Sequence, residues 1–316
     1  MLENKRKKIA IIGARSKTAE ALIRILPAET DWEILLFSSG LKNEGEARGF
    51  RYFPLNYADP KALRDICLRE LPEVIINTSA MTNVDACEHE KQLAWTVNVT
   101  WVEQLVRTAS VIDAHLVHFS TDYVFNGEKG PYTETDAPHP LSYYGKSKLA
   151  SENACMQARN YCSVIRTNVV YGFSANEKVD FVQWVIAQSN KGMPFTVVDD
   201  QYSNPTLTDD LARAVLKIIQ KKRTGLYHVG GADYLNRIEF ARQIAKIFHL
   251  DESLIRPVST ESLAQAAKRP LRGGLVALKA ETDLGFKFCG IESGLITVRH
   301  QMHAFKNIQQ QSAFNP

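Results

Sequence analysis

The stretch KIAIIGARSKTAEALIRIL, residues 8–26, decides how the fold reads. Ile9 to Ile12 form a short apolar run, Gly13 follows, and an amphipathic helical pattern starts with no loop between. An apolar run of this kind reads as a strand covered on both faces, and the glycine permits a tight turn into the helix. The free N–H groups and positive end of such a helix form an anion site, where dinucleotide-binding proteins hold a pyrophosphate. Those proteins keep two more glycines at the spacings occupied here by Ser16 and Ala19. Alanine adds one methyl group where helix and strand pack closely, which the pattern tolerates. Ser16 is the real departure, because a side chain stands where backbone approaches the anion. Serine is also a good helix N-cap, so its hydroxyl and the first-turn N–H groups can still face a phosphate.

With 316 residues, 45% of them hydrophobic, the chain suits one large domain or two intimately joined ones. A formal charge of +3 gives no reason to expect a nucleic acid partner, and the basic start at Lys5 to Lys8 reads as a solvated entry to the first strand. No apolar run approaches the roughly 18 residues that span a bilayer, so no membrane partner is expected. The beginning lacks the apolar segment of a secretory signal. Five cysteines, Cys67, Cys87, Cys155, Cys162 and Cys289, form no C-x-x-C pair and are odd in number. Reduced thiols in a cytoplasmic setting are expected, and no metal ligands are assigned.

Apolar runs alternate with helical periodicity through the first half. The expected strands are Lys8–Ile12, Trp32–Phe37, Arg51–Leu55, Val74–Thr78, His115–Ser120 and Cys162–Thr167. Helices are expected at Thr18–Leu26, Pro60–Leu71, Gln92–Ala109 and Ser142–Gln157. This alternation predicts an α/β fold, a Rossmann-type doubly wound parallel sheet with its ligand edge at the strand ends. Residues 1–172, with 208–230 returning to them, form the expected nucleotide-binding domain; 173–207 and 231–316 form a smaller C-terminal lobe over that edge. Within 255–275 the pattern reads as short pieces, loop and turn.

The chemistry concentrates in HFSTDYVFNGEKGPYTETDAPHPLSYYGKSKLASEN, residues 118–153. Thr121 closes a strand, and Tyr144 and Lys148 lie four apart on one helix, sharing a face. Reduction of a carbonyl by hydride needs a proton donor, a second hydrogen bond to the developing alkoxide, and a positive charge that eases proton loss. A tyrosine, a threonine and a lysine supply these, and the ammonium is expected to lower the phenol pKa. Tyr57 and Lys61 match the same spacing, so the pattern gains weight only from its neighbours.

Those neighbours make the resemblance plain. INTSAMTNVDACE, FSTDYVFNG, PYTETDAPHPLSYYGKSKLASE, VIRTNVVYG, DDQYSNPTLTDDLA, GLYHVGG and KRP recur nearly end to end. The chain resembles the extended short-chain dehydrogenases/reductases, and more narrowly the dTDP-4-dehydrorhamnose reductase family. The resemblance implies NAD(P)H in the first domain, a nucleotide-sugar substrate under the second, and hydride delivery to a 4-keto group. It implies Thr121, Tyr144 and Lys148 as catalytic residues, with Lys148 also on the nicotinamide ribose. It places Thr82 and Tyr123 toward the sugar, Ala80 beside the cofactor, and Asn98 as support for the lysine.

Several positions bear on cofactor and substrate. Gly13, Arg15 and Ser16 are expected at the phosphates. The second strand ends in Ser38 and Ser39, with Lys42 beyond, where NAD-preferring sites carry an acid. That absence, with Arg15 nearby, leans toward NADP(H) over NAD(H). Asn56 stands where the family often has aspartate near the adenine. Val169 replaces an aromatic that would flank the sugar, and Met81 replaces a tyrosine, so the pocket is expected to be reshaped. Arg269 and Arg272 are the candidates for a substrate diphosphate. A 4,6-dehydratase is disfavoured because Tyr123, not glutamate, follows Asp122. Two alternatives stay open: another epimerase or reductase on this scaffold, and a non-catalytic partner subunit like the beta subunit of methionine adenosyltransferase. A homodimer is one expected assembly.

Overall fold

The computed structural model describes residues 6–41, 43–47, 49–158, 162–175 and 179–314, with backbone alone for 310–314. Lys5 and Lys42 lie outside the described residues. The main sheet has eight strands: β1 (Lys8–Ile12), β2 (Glu33–Ser38), β3 (Gly45–Ala47), β4 (Phe50–Pro54), β5 (Val74–Asn77), β6 (His115–Thr121), β7 (Cys162–Thr167) and β8 (Gly225–His228). Their order is β8-β7-β6-β5-β1-β2-β4-β3, parallel throughout except for β3 against β4. Ile9 to Ile12 are fully buried, as a strand paired on both edges and covered on both faces requires.

Helix α1 (Lys17–Glu29) and helix α2 (Thr208–Gln220) cover one face, with Leu22, Ile25 and Leu26 against Leu211, Val215 and Ile219. Each such side chain contributes about 1.5–3 kcal/mol by leaving water. Leu63, Ile66, Trp101, Leu105 and Cys155 cover the other face. A third core joins helix α3 (Phe181–Ser189), helix α4 (Arg237–Phe248) and the long helix α5 (Ile291–Phe314) through Val182, Val185, Phe240, Ile244, Leu295 and Val298. It sits beyond the strand ends of the main sheet.

The structure departs from the sequence expectation, among other places, at the short helices Val84–His89 and Leu278–Leu284, which no expectation covered, and at three further points. Helix α5 lies where no element was assigned; Gly294 lets it approach Tyr171, since a Cβ there would meet the Tyr171 Oη at 2.0 Å. The helix expected at Gln92–Ala109 is three pieces, with a π-helical segment at Thr96–Thr100. The wide turn carries Asn98, whose side chain bonds the Met81 backbone N–H and carbonyl at 2.8 and 3.1 Å. Strand β3 is three exposed residues and has no apolar pattern to reveal it.

Candidate active site

A cleft of 790 Å³ opens at the C-terminal ends of the strands, where β1 lies between β2 and β5 and the strand order reverses. Gly13 turns the chain there at φ +83, and a Cβ on it would stand 3.0 Å from the Ser79 backbone nitrogen, so glycine is required twice over. The Ser16 hydroxyl folds away from the anion position. It accepts from Ala19 N at 3.0 Å and donates to Thr78 Oγ1 at 2.8 Å. The N–H groups of Lys17 and Thr18 have no intrahelical partner by geometry and remain for a ligand. Arg15 is exposed and its Nη1 lies 3.6 Å from where a Gly40 Cβ would stand, so it reaches the end of β2 beside Ser38.

Thr121 ends β6, and the helix Tyr143–Gln157, capped by Ser142, carries Tyr144 and Lys148. All three site side chains are buried and line the cleft. Gly145 is needed beside Tyr144, because a Cβ there would meet the Tyr123 carbonyl at 2.2 Å. The Tyr144 phenol is hydrogen-bonded to Thr121, and burial raises its pKa above the ordinary 10. The expected lowering by the ammonium does not appear, since Lys148 Nζ turns instead toward His118 Nε2 at 3.3 Å. Burial lowers Lys148 to about 8.

The protonation of His118 follows from its neighbours. Asn77 Oδ1 accepts from Ser79 N and Oγ, at 3.2 and 2.6 Å, so its Nδ2 donates to His118 Nδ1 at 3.1 Å. Ser151 Oγ donates to the Lys148 carbonyl at 2.7 Å and therefore accepts from His118 Nε2–H at 3.1 Å. The ring is neutral, with burial as the first cause that holds its pKa far below the usual value. Its Nε2 has no lone pair for Lys148, which leaves the ammonium free to donate elsewhere. Asn98 is not in the cleft wall; it braces the helix next to Lys148 by donating to Ser147 Oγ at 3.0 Å.

Ala80, Thr82, Tyr123 and Val169 also line the cleft. Val169 sits at φ +39, a left-handed conformation costly for a β-branched residue. Asn56, Met81, Arg269 and Arg272 do not line the cleft, and Arg272 is exposed. Asn56 is exposed and accepts from Ala58 N at 3.0 Å, closing its own turn. Arg269 is held by Asp85 at 2.6 Å and by the Ala267 carbonyl at 2.9 Å. Tyr57 does line the cleft, but it precedes its helix and Lys61 is exposed, so that second match forms no pair.

Sequence reasoning missed Lys17, Asp122, Phe181 and Arg237, all in the cleft wall. Lys17 Nζ donates to Gly172 O, Asp180 Oδ2 and Gln183 Oε1 at 3.1, 2.8 and 2.6 Å, tying α1 to α3. Its place directly after the helix cap was the available signal. Two buried hydroxyls in the same wall, Ser120 Oγ and Thr167 Oγ1, have no partner among the described residues. Such orphans are costly unless a ligand satisfies them, and a polar ring substituent would. Together with the glycine turn and the free helix N–H groups, they fit a nicotinamide dinucleotide.

A doubly wound sheet, a phosphate-ready helix end at the strand-order reversal and a buried Tyr/Lys pair on one helix define an NAD(P)-dependent oxidoreductase of the extended short-chain type. More narrowly, the chain belongs to the family described as the RmlD substrate binding domain, whose model matches residues 7–303. It is 34% identical over 228 residues to dTDP-4-dehydrorhamnose reductase of Salmonella typhimurium, spanning 68% of this chain and 75% of that protein. It is 32% identical over 239 residues to methionine adenosyltransferase 2 subunit beta of Xenopus laevis, spanning 73% and 71%. Among solved structures, dTDP-4-dehydrorhamnose reductase of Bacillus anthracis in complex with NADP superposes with a TM-score of 0.84 at 28% identity, covering 94% of this chain and all of that one. In the described residues no helix is long and apolar enough to cross a membrane.

Proposed function

We propose that the protein uses NADPH to reduce the 4-keto group of a nucleotide-activated 6-deoxysugar. The convergence of Thr121, Tyr144 and Lys148 on the cleft beside the Gly13 turn carries this reading. Lys17 and Thr18 N–H would hold the pyrophosphate, Arg15 and Ser38 the 2′-phosphate, and Lys148 the nicotinamide ribose. Ala80 would flank the dinucleotide, and Asn98 would keep the helix of Lys148 in place. When bound, the reduced nicotinamide supplies a hydride. Tyr144 holds the proton for the substrate oxygen, and its raised pKa keeps that proton in place at neutral pH. Thr121 offers the second hydrogen bond to the same oxygen. Lys148, from which His118 accepts no hydrogen bond, would turn to the ribose of the bound cofactor and from there supply the charge that eases proton loss. Thr82, Tyr123 and Val169 would bound the sugar. The preference for NADPH rests on Arg15 at the end of β2, with Ser38 where an acid would otherwise sit.

The likeness to a subunit beta favours a second reading, in which the cleft binds cofactor without turnover. One experiment separates the two. The protein is mixed with NADPH and a panel of nucleotide-linked 4-keto-6-deoxyhexoses while the nicotinamide absorbance is followed. Oxidation with at least one member supports the reductase. Silence across the panel, with saturable NADPH binding intact, refutes it.

A further inference from the structure

We propose that Arg237 binds an oxyanion of the substrate, either the diphosphate of the nucleotide or a carboxylate on the sugar. The proposal rests on the cleft taking a nucleotide sugar. Arg237 is the first residue of α4, where a capping box between Asn236 and Glu239 pins the turn and its own N–H donates to the Gln201 carbonyl at 3.0 Å. The backbone is therefore rigid, and the side chain is carried into the cleft wall. Its guanidinium lies over the Phe181 ring, 5.0 Å from the centroid, and faces Asp122 and Tyr123. Stacking of this kind fixes the plane of the fork while leaving its N–H edges open.

Those edges lack a protein acceptor. Among the described residues no hydrogen bond is made by the guanidinium. The carboxylate whose charge it feels, Asp122, is already held by Gly274 N and Asn168 Nδ2 at 3.2 Å each and by Thr121 Oγ1 at 3.3 Å. Burial pulls the Arg237 pKa down from its usual value, the sign of a cation short of compensation. Of the other cations of the wall, Lys17 is committed to Asp180, Lys148 lies beside His118, and Arg15 stands beside Gly40. Arg269, the residue that sequence favoured for a diphosphate, is neutralised by Asp85. A planar fork with free donors, short of one negative charge and near the reacting end, suits a phosphate or a carboxylate.

The test is calorimetric titration of the intact protein saturated with NADP⁺. The ligands are thymidine and dTDP, uridine and UDP, and UDP-glucose and UDP-glucuronate; the proteins are wild type, Arg237→Gln, Arg237→Lys and Arg269→Gln. If the diphosphate is read, Arg237→Gln weakens the better-bound nucleoside diphosphate by roughly ten- to a hundredfold. Nucleoside and NADP⁺ affinities stay unchanged, and Arg237→Lys recovers part of the loss. If a sugar carboxylate is read, the variant instead loses a wild-type preference for UDP-glucuronate over UDP-glucose. Unaltered affinities in Arg237→Gln, or a loss shared by nucleoside and NADP⁺, overturn the proposal, as does a larger loss in Arg269→Gln. A wild type that binds NADP⁺ but none of these nucleotides removes the nucleotide-sugar reading, and the proposal falls with it.

Discussion

Replacing Arg15 with alanine should collapse the discrimination between NADPH and NADH. Arg15 Nη1 lies 3.6 Å from the position of a Gly40 Cβ, at the end of β2, which closes on Ser38 rather than an acid. A charge-assisted hydrogen bond to a phosphate contributes about 1.5–3 kcal/mol. Arg15 is exposed, and screening puts the expected value at the low end of that range, about 1.5 kcal/mol. Removing it therefore costs NADPH roughly tenfold in affinity. NADH lacks the 2′-phosphate, so its affinity should change less than about twofold. Titration of the protein fluorescence by each nucleotide reads both constants. Repeating it at high salt should shrink the wild-type gap, because an exposed charge pair is screened. Equal wild-type affinities for the two cofactors would refute the reasoning, as would a loss in the variant that is the same for both.

Three further outcomes follow from the geometry. With Lys148 lowered to about 8 and its charge required, kcat should fall as pH rises through that value; Tyr144, raised by burial, titrates later. A rate that stays level to pH 9 and beyond would contradict the role given to the ammonium. Glu152 bonds Arg166 at 2.9 and 2.6 Å with both side chains buried, so Glu152→Gln leaves a buried charge uncompensated. The expected cost is about 3–5 kcal/mol, seen calorimetrically as a fall in Tm of roughly 5–10 °C. Gly145→Ala should lower kcat by roughly a hundredfold by displacing Tyr144, with NADPH affinity retained; an unchanged kcat would show that the Tyr123 carbonyl yields to the added methyl.

Local signals were legible because they are local. Ile9 to Ile12, Gly13 and the α1 pattern announce a buried strand, a turn and a helix within about 20 residues of chain. Tyr144 and Lys148 share a helix face by spacing alone, and Thr121 was marked by the end of an apolar strand. Long-range pairing was not legible. Ser16 folds back because Thr78, 62 residues away, accepts its hydroxyl. Arg269 is spent on Asp85, 184 residues away, which no spacing rule anticipates. Lys148 Nζ lies beside His118, whose ring accepts nothing from it because Asn77 and Ser151, far away in sequence, settle the tautomer. Arg237 opens an ordinary amphipathic helix, and only the packing of α4 against α3 and α5 brings it to the cleft. Helix α5 was readable in principle, from Ile291, Leu295, Val298 and Met302 at helical spacing.

The account stands most directly on Tyr144 as the proton donor. Wild type and Tyr144→Phe are compared in single turnover with NADPH and the 4-keto nucleotide sugar that the panel identifies, alongside NADPH titrations. A positioned general acid contributes about 10²–10⁴-fold, so the variant should lose that much in rate while its NADPH affinity stays within about twofold. A variant that oxidises NADPH at the wild-type rate would contradict the account.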